Sequence, residues 1–195
     1  MNYTLLLIVI CSVVYILELI WGQFVYYVVF DPSHALNMPW QFITSLFAHG
    51  SFMHLFINMY VLFFFGIKLE RWIGGLNFLK VFFISGIVGN IVHLIYSNIL
   101  GYPILSLGAS GAVCGILGVL AVLEPNMTIM IFPIPIPIKL KTAVGLFAIF
   151  EIICIVFSIL PFIGHDAHLG GLFTGLLLGK MFEKKYGIQH YIHGN

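Results

Sequence analysis

Between residues 5 and 17 the chain carries no charged side chain, and five more stretches of similar character follow. They run roughly over residues 3–30, 49–67, 76–100, 108–123, 142–162 and 167–182. Stretches this long and this apolar leave few choices. A helix satisfies its own backbone hydrogen bonds, so it survives in lipid, where no water replaces them. A span takes about 20 residues, and 195 residues hold six of them with short connections. The overall balance points the same way. Only 8% of the residues are charged, against about 25% in a soluble domain, and the mean hydropathy is +1.10. The expected fold is an all-α polytopic membrane protein, a bundle of six transmembrane helices forming one integral-membrane domain over residues 1–195.

The connections set the expected orientation. Lys68, Arg71 and Lys80 flank the turn between the second and third stretches, Lys139 and Lys141 precede the fifth, and Lys180, Lys184 and Lys185 close the sixth. With six spans, all these cations share one side with the amino terminus. Cytoplasmic loops carry the excess of Lys and Arg, so both termini are expected in the cytoplasm. Residues 133–138 alternate Pro and Ile, which disfavours a helix and predicts an extended loop. Residues 31–41, with Pro32, Pro39 and Trp40, read as a long interfacial loop. The first stretch lacks the basic start and small-residue cleavage site of a signal peptide, so it reads as a retained helix. A net charge of +1 offers no basic patch for phosphates, and no nucleic-acid partner is expected. Cys11, Cys114 and Cys154 are scattered and form neither a disulfide framework nor a metal-spaced pair. No cofactor and no metal are expected.

Polar groups inside spans are costly unless paired, so each one raises a functional question. His54 and Asn58 stand four residues apart on one face of the second stretch. Ser110 lies in Gly108-Ala109-Ser110-Gly111 at the start of the fourth, and His168 begins the sixth. His54 precedes Lys68 by 14 residues, Ser110 precedes Glu124 by 14, and His168 precedes Lys180 by 12. At about 1.5 Å per residue these are roughly 21, 21 and 18 Å from the cytoplasmic boundary. Three polar groups from three helices therefore share one level, about 10 Å below the outer surface of a hydrocarbon core about 30 Å thick. A neutral imidazole can take the proton of a serine hydroxyl. The oxyanion formed by attack on an amide needs fixed donors, which His54, Asn58 and a backbone N–H can supply. Each motif also has a structural reading. Gly-Ala-Ser-Gly is a small-residue packing motif, a lone His is a hydrogen-bonded core residue, and the His54/Asn58 pair is a clamp between helices. Their shared depth favours the chemical reading. Gly171, Gly175 and Gly179 form a ladder that lets another helix come close. It is expected to bring the sixth stretch against the fourth, so that His168 reaches Ser110.

These motifs, in this order and spacing, resemble the rhomboid intramembrane serine proteases of the minimal six-helix, prokaryotic type. The resemblance covers about residues 40–179. It rests on His49-Gly-Ser-Phe-Met-His54-Leu-Phe-Ile-Asn58, on Gly66-x3-Glu70-x3-Gly74, on Gly108-Ala109-Ser110-Gly111, and on Ala167-His168-x2-Gly171-x3-Gly175. It implies a Ser110–His168 dyad without a catalytic acid, and an oxyanion site from His54, Asn58 and the Ser110 amide. It also implies single-pass transmembrane helices as substrates, cut near the outer membrane surface. Two positions depart from the family pattern. Gln41 follows Trp40 where Arg is usual, and Cys114 stands where a Tyr usually stacks on the catalytic His. The absence of an appended soluble domain fits a prokaryotic plasma membrane.

The leading expectation is an intramembrane serine endopeptidase. The alternatives are a transporter or channel, drawing on Glu18 and Glu151 near mid-membrane, and a non-catalytic chaperone of membrane segments on the same fold. Glu18 and Glu151 read either as a proton or cation path or as neutral acids bonded to a neighbour. Glu70 and Arg71 read as the brace of a cytoplasmic turn, and Asn90 and His93 as interhelical hydrogen bonds. Asp166 is close enough in sequence to modulate His168.

Overall fold

The computed structural model describes residues 2–131 and 134–193, most of them helical. Helix α1 (Tyr3–Ile20) is capped by the Asn2 side chain, which accepts from the Leu5 N–H. Its start is also clamped from a distance. The Glu70 carboxylate accepts from the N–H groups of Tyr3 and Thr4 and from the Thr4 hydroxyl, at 2.7–2.8 Å. Glu70 thus braces the amino-terminal end of α1 itself.

The first apolar stretch does not form one helix. It breaks at Trp21 and Gly22 and resumes as the short α2 (Phe24–Val28). Glycine weakens a helix by about 1 kcal/mol, and the chain beyond α2 is drawn into an extended bridge. The Phe30 N–H donates to Ser106 O at 2.8 Å, and the Ser106 N–H returns to Phe30 O at 2.9 Å. The following loop is held by Gln41, which is 1% exposed. Its Oε1 accepts from the Asp31 N–H and its Nε2 donates to Tyr26 O. The departure at position 41 is therefore a staple between the loop and α2. Trp40 Nε1 donates to Tyr27 O and adds a second tie. A short α3 (Gln41–Thr44) ends the loop.

The second stretch is one continuous rod over Phe52–Ile73, made of α4 (Phe52–Val61), a π-helical turn (Leu62–Gly66) and α5 (Ile67–Ile73). The Ser51 hydroxyl caps it by accepting from the His54 N–H. Then follow α6 (Gly75–Leu100), α7 (Ser110–Leu123), α8 (Leu140–Phe157) and α9 (His165–His193). Between α7 and α8 the expected loop is a hairpin. Strand β1 (Thr128–Ile131) pairs antiparallel with β2 (Ile134–Lys139), Thr128 opposite Lys139 and Ile129 opposite Ile138. The extended conformation expected from the Pro-Ile alternation holds over Ile134–Lys139, while Pro133 lies outside the described residues.

Among the described residues, four helices are long and apolar enough to cross a membrane: Tyr3–Ile20, Phe52–Ile73, Gly75–Leu100 and Leu140–Phe157. Helix α7 is apolar but has only 14 residues, about 21 Å of helix. The outer faces of these rods expose large apolar side chains, including Val9, Ile16, Phe56, Tyr60, Phe150 and Val156. That surface fits an integral membrane protein and would not stay dispersed in water.

Helix α7 is the axis of the bundle, buried on nearly every side. Glycines set its distance from α9. A Cβ on Gly171 would fall onto the carbonyl of Gly111, and one on Gly175 onto the carbonyl of Gly115. A Cβ on Gly118 would stand 2.6 Å from Leu172 O. The glycine ladder brings α9 against α7, as its four-residue spacing predicts. Helix α6 closes the other side, where a Cβ on Gly89 would meet Ala167 O at 2.9 Å. Phe78, Phe82, Ile116, Leu120 and Leu172 fill the core below.

Candidate active site

The close approach of α7 and α9 places two reactive groups face to face. Ser110 opens α7 and His168 lies in the first turn of α9. Ser110 Oγ and His168 Nε2 are 2.8 Å apart, a hydrogen bond in the range of a nucleophile and its base. Both residues line a cavity of about 1160 Å³ together with His54 and Asn58. The four residues singled out in the sequence thus come together around one space.

The loop before α7 is shaped by Gly108, at φ +120°, a conformation open mainly to glycine. A Cβ there would stand 2.7 Å from the His54 ring and 3.7 Å from Ser110 Oγ. His54 and Ser110 therefore approach the same glycine. The Gly108 N–H is taken by Ser45 O at 2.8 Å. The Ala109 N–H faces His49 Nε2 at 3.5 Å, while His49 Nδ1 lies 3.1 Å from Phe47 O. A carbonyl only accepts, so His49 carries its proton on Nδ1 and offers Nε2 as acceptor. Its ring also packs edge-on to His54, with centroids 5.1 Å apart. The first N–H groups of a helix have no intrahelical acceptor, and Ser110 and Gly111, at that end of α7, both line the cavity.

Asn58 is buried, and its Nδ2 donates to His54 O at 2.9 Å. One amide proton is used in this contact, and the second is left for a partner in the cavity. The i,i+4 pair is thus bonded within its own helix.

Glu151 is the residue whose place the sequence left open. It is 2% exposed. Its Oε1 lies 3.1 Å from His168 Nδ1 and its Oε2 lies 2.5 Å from His165 Nδ1. The reading of an acid bonded to a neighbour holds, and the neighbour is the histidine that faces Ser110. Phe147, one turn earlier on α8, sets its ring 6.2 Å from that of His168, at 33°. An aromatic neighbour for His168 therefore comes from α8, while Cys114 is a buried thiol on α7. Asp166 does not reach His168. Its Oδ2 bonds His93 Nδ1 at 2.8 Å and ties α9 to α6, and Asn90 bonds Phe42 O and Ser45 Oγ. Glu18 Oε2 accepts from the His49 N–H, and its Oε1 is buried without a partner among the described residues. Donor atoms of Glu151, His165 and His168 all lie within 4.8 Å of one another, a set that could also hold a metal ion.

A bundle whose central helix opens on a serine facing a histidine of the adjacent helix, inside an apolar shell, defines a membrane-embedded protein of the Ser-His type. The chain belongs to the rhomboid family: the model of the Rhomboid domain matches residues 36–185. It is 34% identical over 145 residues to RHOMBOID-like protein 6, mitochondrial, of Arabidopsis thaliana, covering 73% of this chain and 43% of that protein. It is 39% identical over 97 residues to Rhomboid protein 1, mitochondrial, of Saccharomyces cerevisiae, covering 49% and 28%. It is also 33% identical over 136 residues to Inactive RHOMBOID-like protein 8 of Arabidopsis thaliana, covering 69% and 36%. The chain spans less than half the length of each of these relatives. Two of them are named as mitochondrial, so the expectation of a prokaryotic plasma membrane finds no support among them.

Proposed function

We propose that this protein is an intramembrane serine endopeptidase that cuts transmembrane-helix substrates near the outer membrane surface. The observation that carries the reading is the 2.8 Å contact of His168 Nε2 with Ser110 Oγ beside the cavity. In this reading Ser110 is the nucleophile and His168 its base. His168 takes the hydroxyl proton as Oγ attacks the scissile carbonyl, then returns it to the leaving amine. The oxyanion is held by the Ser110 N–H, the free amide proton of Asn58 and a ring N–H of His54. Residues 1–195 act as one membrane domain of six spans with both termini in the cytoplasm, which sets the site toward the outer surface. The partners are single-pass membrane proteins and the surrounding lipid.

An inactive relative raises the second reading, a non-catalytic handler of membrane segments. The Ser110–His168 contact favours catalysis. The test is cleavage of a transmembrane peptide in proteoliposomes by wild type, Ser110→Ala and His168→Ala. Each variant is expected to remain folded and to lose cleavage. Undiminished cleavage by folded Ser110→Ala refutes the serine-protease reading.

A further inference from the structure

We infer that Glu151, held from behind by His165, is a positioning residue that fixes the tautomer and ring orientation of His168. The inference rests on the serine-protease reading and adds to the Ser110–His168 pair a carboxyl that the resemblance does not supply.

The hydrogen bonds determine where the protons lie. His165 Nε2 sits 3.0 Å from Ile159 O and 3.2 Å from Leu160 O. Carbonyl oxygens only accept, so this nitrogen carries a proton. His165 Nδ1 meets Glu151 Oε2 at 2.5 Å. One proton lies between them, on either the ring or the acid. If it is on the ring, Glu151 is a carboxylate and both its oxygens accept. If it is on Oε2, then Oε1 is the bare oxygen of a carboxylic acid and still accepts. Either way His168 Nδ1, 3.1 Å from Oε1, must donate. Moving the acid proton to Oε1 instead would leave a buried imidazolium facing a neutral acid, which the apolar surroundings oppose. A neutral His168 is thereby left with Nδ1–H and a bare Nε2 aimed at Ser110 Oγ. That is the tautomer a base for Ser110 requires.

The supports come from three elements. Phe147 and Glu151 are i,i+4 on one face of α8, so the same face sets a tilted ring beside His168 and bonds it. His165 and His168 are i,i+3 in the first turn of α9, so one carboxyl reaches both. The loop from α8 to α9 carries Ser158 and Leu160 in the left-handed region, each at φ 51°. A bulky residue stays there only when its surroundings hold it, and Leu160 O is one of the two acceptors of His165. The arrangement does for this histidine what a stacked aromatic at position 114 would do by contact, with a hydrogen bond added.

The test uses the full protein in proteoliposomes with a transmembrane peptide carrying Gly near its outer end, and measures kcat and KM separately. Glu151→Ala is expected to lower kcat on the order of 10²-fold or more, the scale of a lost general base, with little change in KM. Glu151→Gln is expected to stay within about tenfold of wild type. Its Oε1 still accepts from His168, and its amide N–H fits the bare Nδ1 of a neutral His165. Nitrogen-15 spectra of histidine-labelled wild type in detergent should show His168 protonated on Nδ1 and bare on Nε2 near neutral pH. That measurement decides the question even if Glu151→Ala does not fold. A folded Glu151→Ala with wild-type kcat overturns the inference, as does a His168 protonated on Nε2. A metal ion bound stoichiometrically by the three groups, with activity lost on chelation, also overturns it. A folded Glu151→Ala with wild-type kcat leaves the protease reading intact, since that reading stands or falls with Ser110→Ala; a His168 protonated on Nε2 or bound to a metal ion counts against its role as base as well.

Discussion

Gly171→Ala adds one methyl group, on neither reacting residue, and tests whether packing sets the catalytic distance. The new Cβ would fall onto the carbonyl of Gly111 and stand 3.1 Å from the Gly111 Cα. The obstacle is backbone, so no side chain can swing away. Helices α7 and α9 must part by more than about 1 Å to restore ordinary contact. Gly111 follows Ser110 directly, and Gly171 lies three residues after His168, so the separation acts where the two groups meet. A contact of 2.8 Å would widen past the limit of about 3.5 Å for a useful hydrogen bond. A misplacement of about 1 Å can cost about 10²-fold in rate. Overpacking of this kind also costs about 1–3 kcal/mol, which should appear as a fall of several degrees in Tm. The assay is the initial rate of transmembrane-peptide cleavage in proteoliposomes, beside Tm in detergent. Gly145→Ala is the control, since its Cβ would meet nothing within 4 Å, and its activity should match wild type. A folded Gly171→Ala within about threefold of wild-type activity would refute the reasoning.

Three further outcomes follow from the same geometry. His54→Ala and Asn58→Ala should each lower kcat by about 10²–10³-fold, the scale for one oxyanion donor, while melting near wild type. Parallel loss of Tm and activity would make the pair a clamp instead. A substrate span with Gly or Pro near its outer end should be cut faster than a uniform Leu span at matched insertion, because a helix in lipid must unwind to expose its carbonyls; equal rates would contradict this. Reporter fusions at Asn195 should read cytoplasmic and fusions in residues 97–103 external, and a cytoplasmic reading for that loop would break the six-span orientation.

Much of the fold was legible because lipid leaves the backbone so little freedom. Long uncharged runs had to be helices, and the four-residue spacing of Gly171 and Gly175 marked the face of the sixth stretch that another helix would approach. Ser110 and His168 could be found because polar groups at one depth in separate spans are rarely idle. Other features depended on contacts between distant segments. The break after Ile20 precedes the pairing of Phe30 with Ser106, which lies 76 residues further along the chain and gives no local signal. The bond of Asp166 to His93 rather than His168 follows from which way the first turn of α9 faces. Glu151 was visible as a carboxyl out of place in a span. Its partners were not, because only the folded loop between α8 and α9 sets His165 and His168 on either side of it. The hairpin shows the same limit, since alternation of Pro and Ile specified extension but not pairing.

The central claim is that Ser110 is a nucleophile activated by His168, and covalent capture tests it most directly. Purified protein treated with a fluorophosphonate, digested and read by mass spectrometry should carry one adduct, on Ser110. His168→Ala should slow its formation on the order of 10²-fold or more, the scale of general-base catalysis, and Ser110→Ala should abolish it. Labelling that persists in Ser110→Ala, or cleavage of a transmembrane peptide by wild type whose Ser110 is fully capped, would contradict the account.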